Sequence, residues 1–401
     1  MNITIKNINQ FKDQHIEQLL DSIRMIGGTL LSPTVSLCHC CYRHIPGWRY
    51  HQDNKVYLAK NCSLHGITHH MIESDYEFYS NLFYTQETKK YNFNSSLLME
   101  GSDRCNLECP HCYHLPDNQI TDIPKDQFLA RIKEHPIGED EIQRIVLSGA
   151  ESTLRPDFCE LVADIRSMNL YPIVMTNGIR FGDVQFSREA AAAGLIGANI
   201  GLNHPEYNNY EVVRKKQIRA IETMHQENVA VGYISYTMID LNELDYILKE
   251  ITSSTWTPNT FRVRAGSEIG RNSTEGRVYL SDIFKTARKW AEDNNKSFKV
   301  IGEADDNIYH IMVDIEGKEI RLIQWCDITD IDMEELRAGP WCDFVPDGIT
   351  NFLHQIIRRD ILKNQNKILP DVPPSRYMYN RNITKEPLDF SKLYADVHTR
   401  K

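Results

Sequence analysis

Between residues 96 and 265 the chain alternates short β-prone runs with amphipathic helical stretches, and this alternation restricts the folds open to it more than any other feature. The strand candidates are Ser96 to Glu100, Arg144 to Ser148, Pro172 to Thr176, Ala198 to Leu202, Val229 to Thr237 and Phe261 to Ala265. Between them, Lys125 to Lys133, Asp157 to Met168, Ser187 to Ala193, Val213 to Gln226 and Leu241 to Thr252 place apolar residues at helical spacing. Strands separated by helices pair in parallel through right-handed crossovers. The expected fold is therefore α/β, a partial (β/α)6-type parallel barrel. Its chemistry should gather at the C-terminal ends of the strands.

The flanking segments read differently. Residues 8 to 26 carry Ile8, Phe11, Leu19, Leu20, Ile23 and Ile26 at helical spacing and stop at Gly27-Gly28. From Pro33 to about Ile72, cysteines, histidines and short β-prone pieces such as Lys55 to Leu58 suit a small metal-stapled unit, too small to build its own core. Past Ser281 the spacing predicts a helix over Asp282 to Asn294. A hairpin of Ile308 to Asp314 and Lys318 to Ile323 follows, turning at Glu316-Gly317, then a helix over Asn351 to Lys363 and a basic, proline-containing tail. Three units are expected: 1–92, the N-terminal helix with its metal-stapled unit; 93–280, the barrel; and 281–401, an α/β extension covering it.

Composition narrows the function classes. Of 401 residues, 41% are hydrophobic and 25% charged, the balance of a core-forming globular chain. No run approaches the roughly 18 apolar residues that span a bilayer, so no transmembrane segment is expected. The start, MNITIKNINQFKDQ, lacks a signal-peptide pattern, which makes the cytoplasm the expected compartment. A net charge of −10 repels a phosphate backbone and argues against nucleic acid as a partner, leaving small or lipid-like molecules. Ten cysteines in a reducing compartment are not expected to pair as disulfides. Seven of them fall in two short clusters, as metal sites do.

The central cluster is Asp103-Arg-Cys105-Asn-Leu-Glu-Cys109-Pro-His-Cys112-Tyr113, a C-x3-C-x2-C motif directly after the first barrel strand. Three thiolates in one loop can hold three irons of a 4Fe-4S cube, and the absence of a fourth cysteine nearby would leave the last iron open to a substrate. A structural zinc here would need His111 or His114 as fourth ligand. In this context the motif resembles the radical S-adenosylmethionine (SAM) superfamily over roughly residues 94 to 270.

That resemblance implies a 4Fe-4S cluster on Cys105, Cys109 and Cys112. Its open iron chelates the amino and carboxylate groups of SAM and passes one electron to the sulfonium. The resemblance also implies a flavodoxin- or ferredoxin-type electron donor. His111 stands where family members usually carry an aromatic ring. Leu147-Ser-Gly149-Ala150-Glu151 is similar to the family's Gly-Gly-Glu segment, which contacts the methionine amino group, with Ala150 in place of the second glycine. Asn177, in Thr176-Asn-Gly178, and Asn203 after the fourth strand fall where the family places contacts to the ribose and carboxylate. Arg262 and Arg264 alternate with Val263 and so share one strand face. If that face is the barrel interior, one of them can clamp a carboxylate.

The N-terminal cluster, Cys38-His-Cys40-Cys41 followed by Cys62-Ser-Leu-His65, gives C-x2-C and C-x2-H pairs. Thiolates with imidazole in a closed four-coordinate site favour structural Zn²⁺ on Cys38, Cys41, Cys62 and His65. Cys40 could replace Cys41, and His69 and His70 could compete with His65. This segment resembles the N-terminus of a radical SAM subgroup that includes archaeal dihydropterin methyltransferases and tetraether lipid synthases. Cys326 and Cys342 are too few for an auxiliary-cluster extension and read as buried thiols, with a contribution to substrate binding or to a partly coordinated metal as the alternative. About ninety residues precede the barrel and the zinc-like unit occupies them, so no N-terminal cobalamin domain is expected among them.

The expected function is radical SAM catalysis on a small organic or lipid-like substrate, towards carbon-bond formation or group transfer. The alternatives are a radical SAM dehydrogenase, epimerase or mutase and, from another class, a non-catalytic zinc-dependent interaction module.

Overall fold

The six β-prone runs form one sheet, in chain order and all parallel. The computed structural model describes residues 11–38, 44–84, 96–109, 112, 116, 118–119, 121–133, 143–202, 210–266, 277–303 and 310–324. The chain opens with α1 (Asp13–Met25) and a four-stranded antiparallel meander of β1 (Thr29–Leu37), β2 (His44–Gln52), β3 (Lys55–Cys62) and β4 (Gly66–Glu73), followed by α2 (Tyr76–Tyr84). The β2–β3 turn is made by Asp53 and Asn54, both at positive φ, the conformation a tight hairpin demands.

The main sheet then runs β5 (Ser96–Ser102), α3 (Lys125–Ile132), β6 (Arg144–Gly149), α4 (Phe158–Ser167), β7 (Tyr171–Thr176), α5 (Val184–Ala192), β8 (Gly197–Leu202), α6 (Tyr210–Gln226), β9 (Ala230–Met238), α7 (Leu244–Ser253) and β10 (Thr260–Ala265). After α8 (Leu280–Asp293) come β11 (Phe298–Glu303), β12 (His310–Ile315) and β13 (Lys318–Ile323). Spatial order is β11-β12-β13-β10-β9-β8-β7-β6-β5, so β13 joins the parallel set beside β10 while β11 and β12 run antiparallel. Among the described residues the barrel is partial, with β5 and β11 as its edges.

Right-handed crossovers between sequential parallel strands put the helices on one face. That face carries Leu97, Leu147, Val174, Ile200, Ile234, Val263 and Leu322, nearly all fully buried in one core with Phe128, Leu161, Ile165, Ile221, Ile247 and Ile251 of the helices. The opposite face, reached by alternate residues, is polar: Asn199, Arg262, Arg264 and Arg321 are partly open on it, and Ser148, Ser235 and Thr237 are buried on it. The expected strands are thus confirmed within one or two residues.

The N-terminal meander does not rely on itself for a core. Val56, Leu58 and Ile72 are buried in the barrel's own cluster, and α1 covers the meander's other side through Leu19 and Ile23 against Tyr50 and Ala59. Glu73, Ser74 and Asp75 bind the first turns of α8, and Gln324 donates to the Ile72 carbonyl at 3.0 Å. The expected late helix over Asn351 to Lys363, together with Cys326, Cys342 and the tail, lies outside the described residues. Among the described residues no helix is long and apolar enough to cross a membrane.

Candidate active site and zinc site

The cysteine loop leaves the end of β5 and is clamped at both of its feet. Ser102 Oγ donates to Asp122 Oδ1 at 2.7 Å, and Arg104 forms an ion pair with the same carboxylate while donating to the Leu154 carbonyl. Arg155, only 1% exposed, donates to the carbonyls of Gly101 and Ile123, both at 3.0 Å, and forms a two-pronged pair with Asp157. Chain entering the loop is therefore tied to chain leaving it by two guanidiniums. A buried cation held by carbonyls and a carboxylate keeps its geometry because each lost contact would leave charge uncompensated.

At the end of β6, Gly149 has φ +109, and a Cβ there would stand 2.5 Å from the Ser102 carbonyl oxygen. Ala150 N donates to that same oxygen at 2.8 Å. Only glycine fits the first position, whereas Ala150 lies outside the left-handed region and carries its methyl without backbone strain.

Glu151 is fully buried. Its Oε1 accepts from Thr153 N, Thr153 Oγ1 and Thr176 Oγ1, and its Oε2 from Asn177 N at 2.7 Å. Burial pushes its pKa up, and these donors pull it back. Each carboxylate oxygen has two lone pairs, so Oε2 keeps room for one further donor.

Asn177 bridges the two motifs. Its Nδ2 donates to Asn106 Oδ1 at 2.7 Å and lies 3.9 Å from Cys105 Sγ, its Oδ1 accepts from Ile179 N, and its carbonyl accepts from buried Gln217. Cys105 also receives the Leu107 N–H at its sulfur, while its own N–H donates to Asn118. Burial pushes the Cys105 thiol up to about 12, with Glu151, Cys109 and Cys112 adding to the effect. Three thiols within electrostatic reach, in a pocket that disfavours bare thiolates, suit a cationic iron cluster that would supply the compensating charge. The donor set fits that group.

The N-terminal site is drawn tighter. Cys38 Sγ and Cys62 Sγ lie 3.5 and 3.4 Å from His65 Nδ1. Both thiols are buried and the imidazole is exposed. A tetrahedron with Zn–S near 2.3 Å and Zn–N near 2.0 Å has an S···N edge of about 3.5 Å, so the three ligands stand where a zinc would hold them. Among the described residues this is the one group of three candidate ligands whose atoms all lie within 4.8 Å of one another. His69 is instead engaged by the Tyr50 hydroxyl at 2.9 Å. Cys40, Cys41, His111, His114 and Asn203 lie outside the described residues.

Arg264 donates through Nε to Thr237 Oγ1 at 3.0 Å, and Arg262 lies one rung deeper on the same polar face. Several supporting groups carry no sequence signal of their own: Asp122, Arg155 and Gln217 act across long sequence separations. Asn106 and Thr176 fall inside the quoted motifs, and Thr153 lies two residues after Glu151.

Comparison with known proteins agrees with this geometry. A family model for the radical SAM superfamily matches residues 99–249, and one described as the HMPTM N-terminal zinc ribbon domain matches residues 30–74. A 7,8-dihydro-6-hydroxymethylpterin dimethyltransferase from Methanocaldococcus jannaschii is 25% identical over 290 residues, 63% of this chain and 57% of that protein. A GTP 3′,8-cyclase from Clostridium perfringens is 27% identical over 200 residues, 47% of this chain and 60% of that one. The chain thus spans under two thirds of the length of these relatives. Among solved structures, Streptococcus suis SuiB bound to its precursor peptide aligns with 67% of this chain and 71% of its own at 10% identity and a TM-score of 0.40. With the C-x3-C-x2-C loop on a partial β/α barrel and a zinc ribbon packed beside it, the chain carries a radical SAM domain over residues 99–249 and a zinc ribbon domain over residues 30–74.

Proposed function

We propose that this chain cleaves SAM reductively and uses the resulting radical to form a carbon bond or transfer a group on a small organic or lipid-like substrate. The observation that carries the reading is the packing of the Cys105 loop against Glu151 and Asn177 at the C-terminal ends of β6 and β7. Cys105, Cys109 and Cys112 would hold the 4Fe-4S cluster. When bound, that cluster supplies one electron to the SAM sulfonium, giving methionine and a 5′-deoxyadenosyl radical that takes hydrogen from substrate.

The chain's own residues bind and orient. Gly149 and Ala150 form the tight turn beneath the methionine end, and Glu151 Oε2 accepts from its ammonium. Asn177 fixes the distance between that turn and the cysteine loop. Arg264, at the rim of the polar face, is the arginine assigned to the carboxylate. Asn203 would complete the ribose contacts, and Cys41 the zinc site with Cys38, Cys62 and His65. A flavodoxin- or ferredoxin-type protein would deliver the electron, in the cytoplasm. The match of residues 30–74 to the HMPTM zinc ribbon model and the likeness to a dihydropterin dimethyltransferase favour carbon addition over dehydrogenation, epimerisation or rearrangement.

The test is anaerobic reconstitution with dithionite and SAM, following 5′-deoxyadenosine, methionine and S-adenosylhomocysteine beside the mass of candidate substrates. About four irons and 5′-deoxyadenosine are expected. A colourless protein holding zinc alone would remove the reading. A substrate losing two hydrogens, or changing only stereochemistry, would keep the radical and replace the outcome.

A further inference from the structure

A short 3₁₀ turn, Ser152–Leu154, follows Glu151 directly, and a turn that brief leaves carbonyls at its C-terminal end without a partner of its own. Two arginines from the flanking strand ends meet them. Arg104, one residue before Cys105, donates to the Leu154 carbonyl at 3.2 Å. From the other side Arg180, three residues after Asn177, directs a single nitrogen, Nη1, at the carbonyls of Thr153 and Arg155, the second at 3.2 Å. Its guanidinium lies 4.2 Å from the centroid of the buried Phe186 ring, which fixes where that nitrogen points. Arg180 itself stands in the 3₁₀ turn Ile179–Gly182, entered through Gly178 at φ +82, so the backbone sets its offset from Asn177. These contacts close a ring around one carboxylate. Glu151 is held by Thr153 N and Oγ1 at one oxygen and by Asn177 N at the other. Thr153 and Asn177 belong to different loops, and the Arg180 side chain spans from the Asn177 loop to the Thr153 backbone. The spacing of the two sets of donors, and with it the direction of the lone pair left on Oε2, therefore depends on a residue that does not bond Glu151 itself.

We propose that Arg180 is a positioning residue for SAM: it braces the Glu151 carboxylate from behind and sets its reach towards the methionine end, without taking part in holding the cluster. A binding group must be kept within about half an ångström of its productive place, and it is the groups behind it that do so. A hydrogen bond from a guanidinium to a carbonyl is stronger than a neutral one. Thr153 is fully buried, so its carbonyl has no ready replacement for that donor. The cysteine loop has its own guanidiniums in Arg104 and Arg155. Although Arg180 also bonds the Arg155 carbonyl, Phe158 N donates there too at 3.3 Å, and the loop is clamped by the Arg155 side chain rather than its main chain. This deepens the radical reading above and rests on it for the identity of the ligand.

The experiment measures SAM affinity by equilibrium dialysis, beside iron content, on the full-length protein reconstituted anaerobically with cluster and zinc. Four forms are compared: wild type, Arg180→Met, Glu151→Gln, which keeps an acceptor oxygen, and the double variant. Arg180→Met is expected to keep the wild-type iron content and to weaken SAM by roughly tenfold or more. In the Glu151→Gln background the same change should move SAM affinity by less than about twofold, because the guanidinium acts through that carboxylate. Arg180→Gln, uncharged and shorter but still a donor, serves if the Met variant does not fold, and should weaken SAM by about threefold or more with the same dependence on Glu151. Equal SAM affinity in wild type and Arg180 variants, an undiminished penalty in the Glu151→Gln background, or iron lost in step with SAM would each overturn the assignment. The outcomes also separate this inference from the reading beneath it. A cluster-loaded wild type that binds no SAM removes both, whereas a protein that binds SAM equally with or without Arg180 loses the brace alone.

Discussion

The carboxylate of Glu73, last residue of β4, accepts from the hydroxyl and backbone N–H of Ser281 in the first turn of α8. This bond joins the zinc ribbon to the barrel at a helix N-terminus, where a negative charge is favoured. Burial nevertheless dominates. It raises the Glu73 pKa from 4.5 to about 7, Asp282 adds to the rise, and the serine donors oppose it.

A pH dependence follows. A carboxyl whose folded pKa exceeds its unfolded one binds more protons in the folded state, so its favourable contribution is full below about 4.5 and is lost as pH rises to about 7. Thermal unfolding across pH 5 to 8 should show this loss, at most about 3 kcal/mol, in the wild type. Glu73→Gln, which keeps an acceptor for Ser281, should flatten it. An identical slope in the variant would assign the effect elsewhere.

Replacing Cys105, Cys109 and Cys112 together by alanine should remove the cluster iron and all 5′-deoxyadenosine while zinc stays bound, because the two cysteine groups sit in separate elements. Metal analysis and product chromatography on one preparation decide it. Loss of zinc from a folded triple variant would show the sites to be coupled.

Cys62→Ala takes a buried ligand from the zinc site and leaves the ribbon with little local core of its own. Zinc content should fall, and the thermal midpoint should drop by roughly 5–10 °C, while the iron-sulfur absorbance changes far less. Full zinc occupancy in this variant would exclude Cys62 as a ligand.

Arg155→Met removes the cation that ties Gly101 to Ile123 and leaves the buried Gly101 carbonyl, the half-buried Ile123 carbonyl and Asp157 without their donor. A cost of about 3–5 kcal/mol is expected, with reduced iron retention during anaerobic gel filtration. Denaturant unfolding and iron titration of the variant check both halves. Undiminished iron binding would show that the loop keeps its shape without the clamp.

Much of this architecture was legible in the sequence because the helix-facing strand residues are apolar and recur with period two. Ile145 and Leu147, Phe261 and Val263, and their counterparts mark each strand. The ribbon strands were read only in part, at Lys55 to Leu58. In β2 and β4, residues such as Arg49, His51, Thr68 and His69 blur the alternation, since the meander shares its core with the barrel. The pairing of β13 with β10 bridges more than fifty residues and leaves no local trace, so Arg321 and His310 could not be placed beside Arg262. For the same reason the motifs at Cys105 and Glu151 stood out, while the Arg155 and Asp122 clamps behind them did not.

The alternation of buried and partly open residues along strands such as β8, β10 and β12 also bears on how such a chain can change over generations. Positions that secure the core and positions on the opposite, polar face are neighbours in sequence yet point in opposite directions. Exchanging Asn199, Arg262 or Arg264 leaves Ala198, Ile200 and Val263 in place. Selection can therefore rewrite substrate preference along one set of residues while the other continues to hold the scaffold. One barrel architecture can in this way acquire unrelated substrates without first losing its ability to fold.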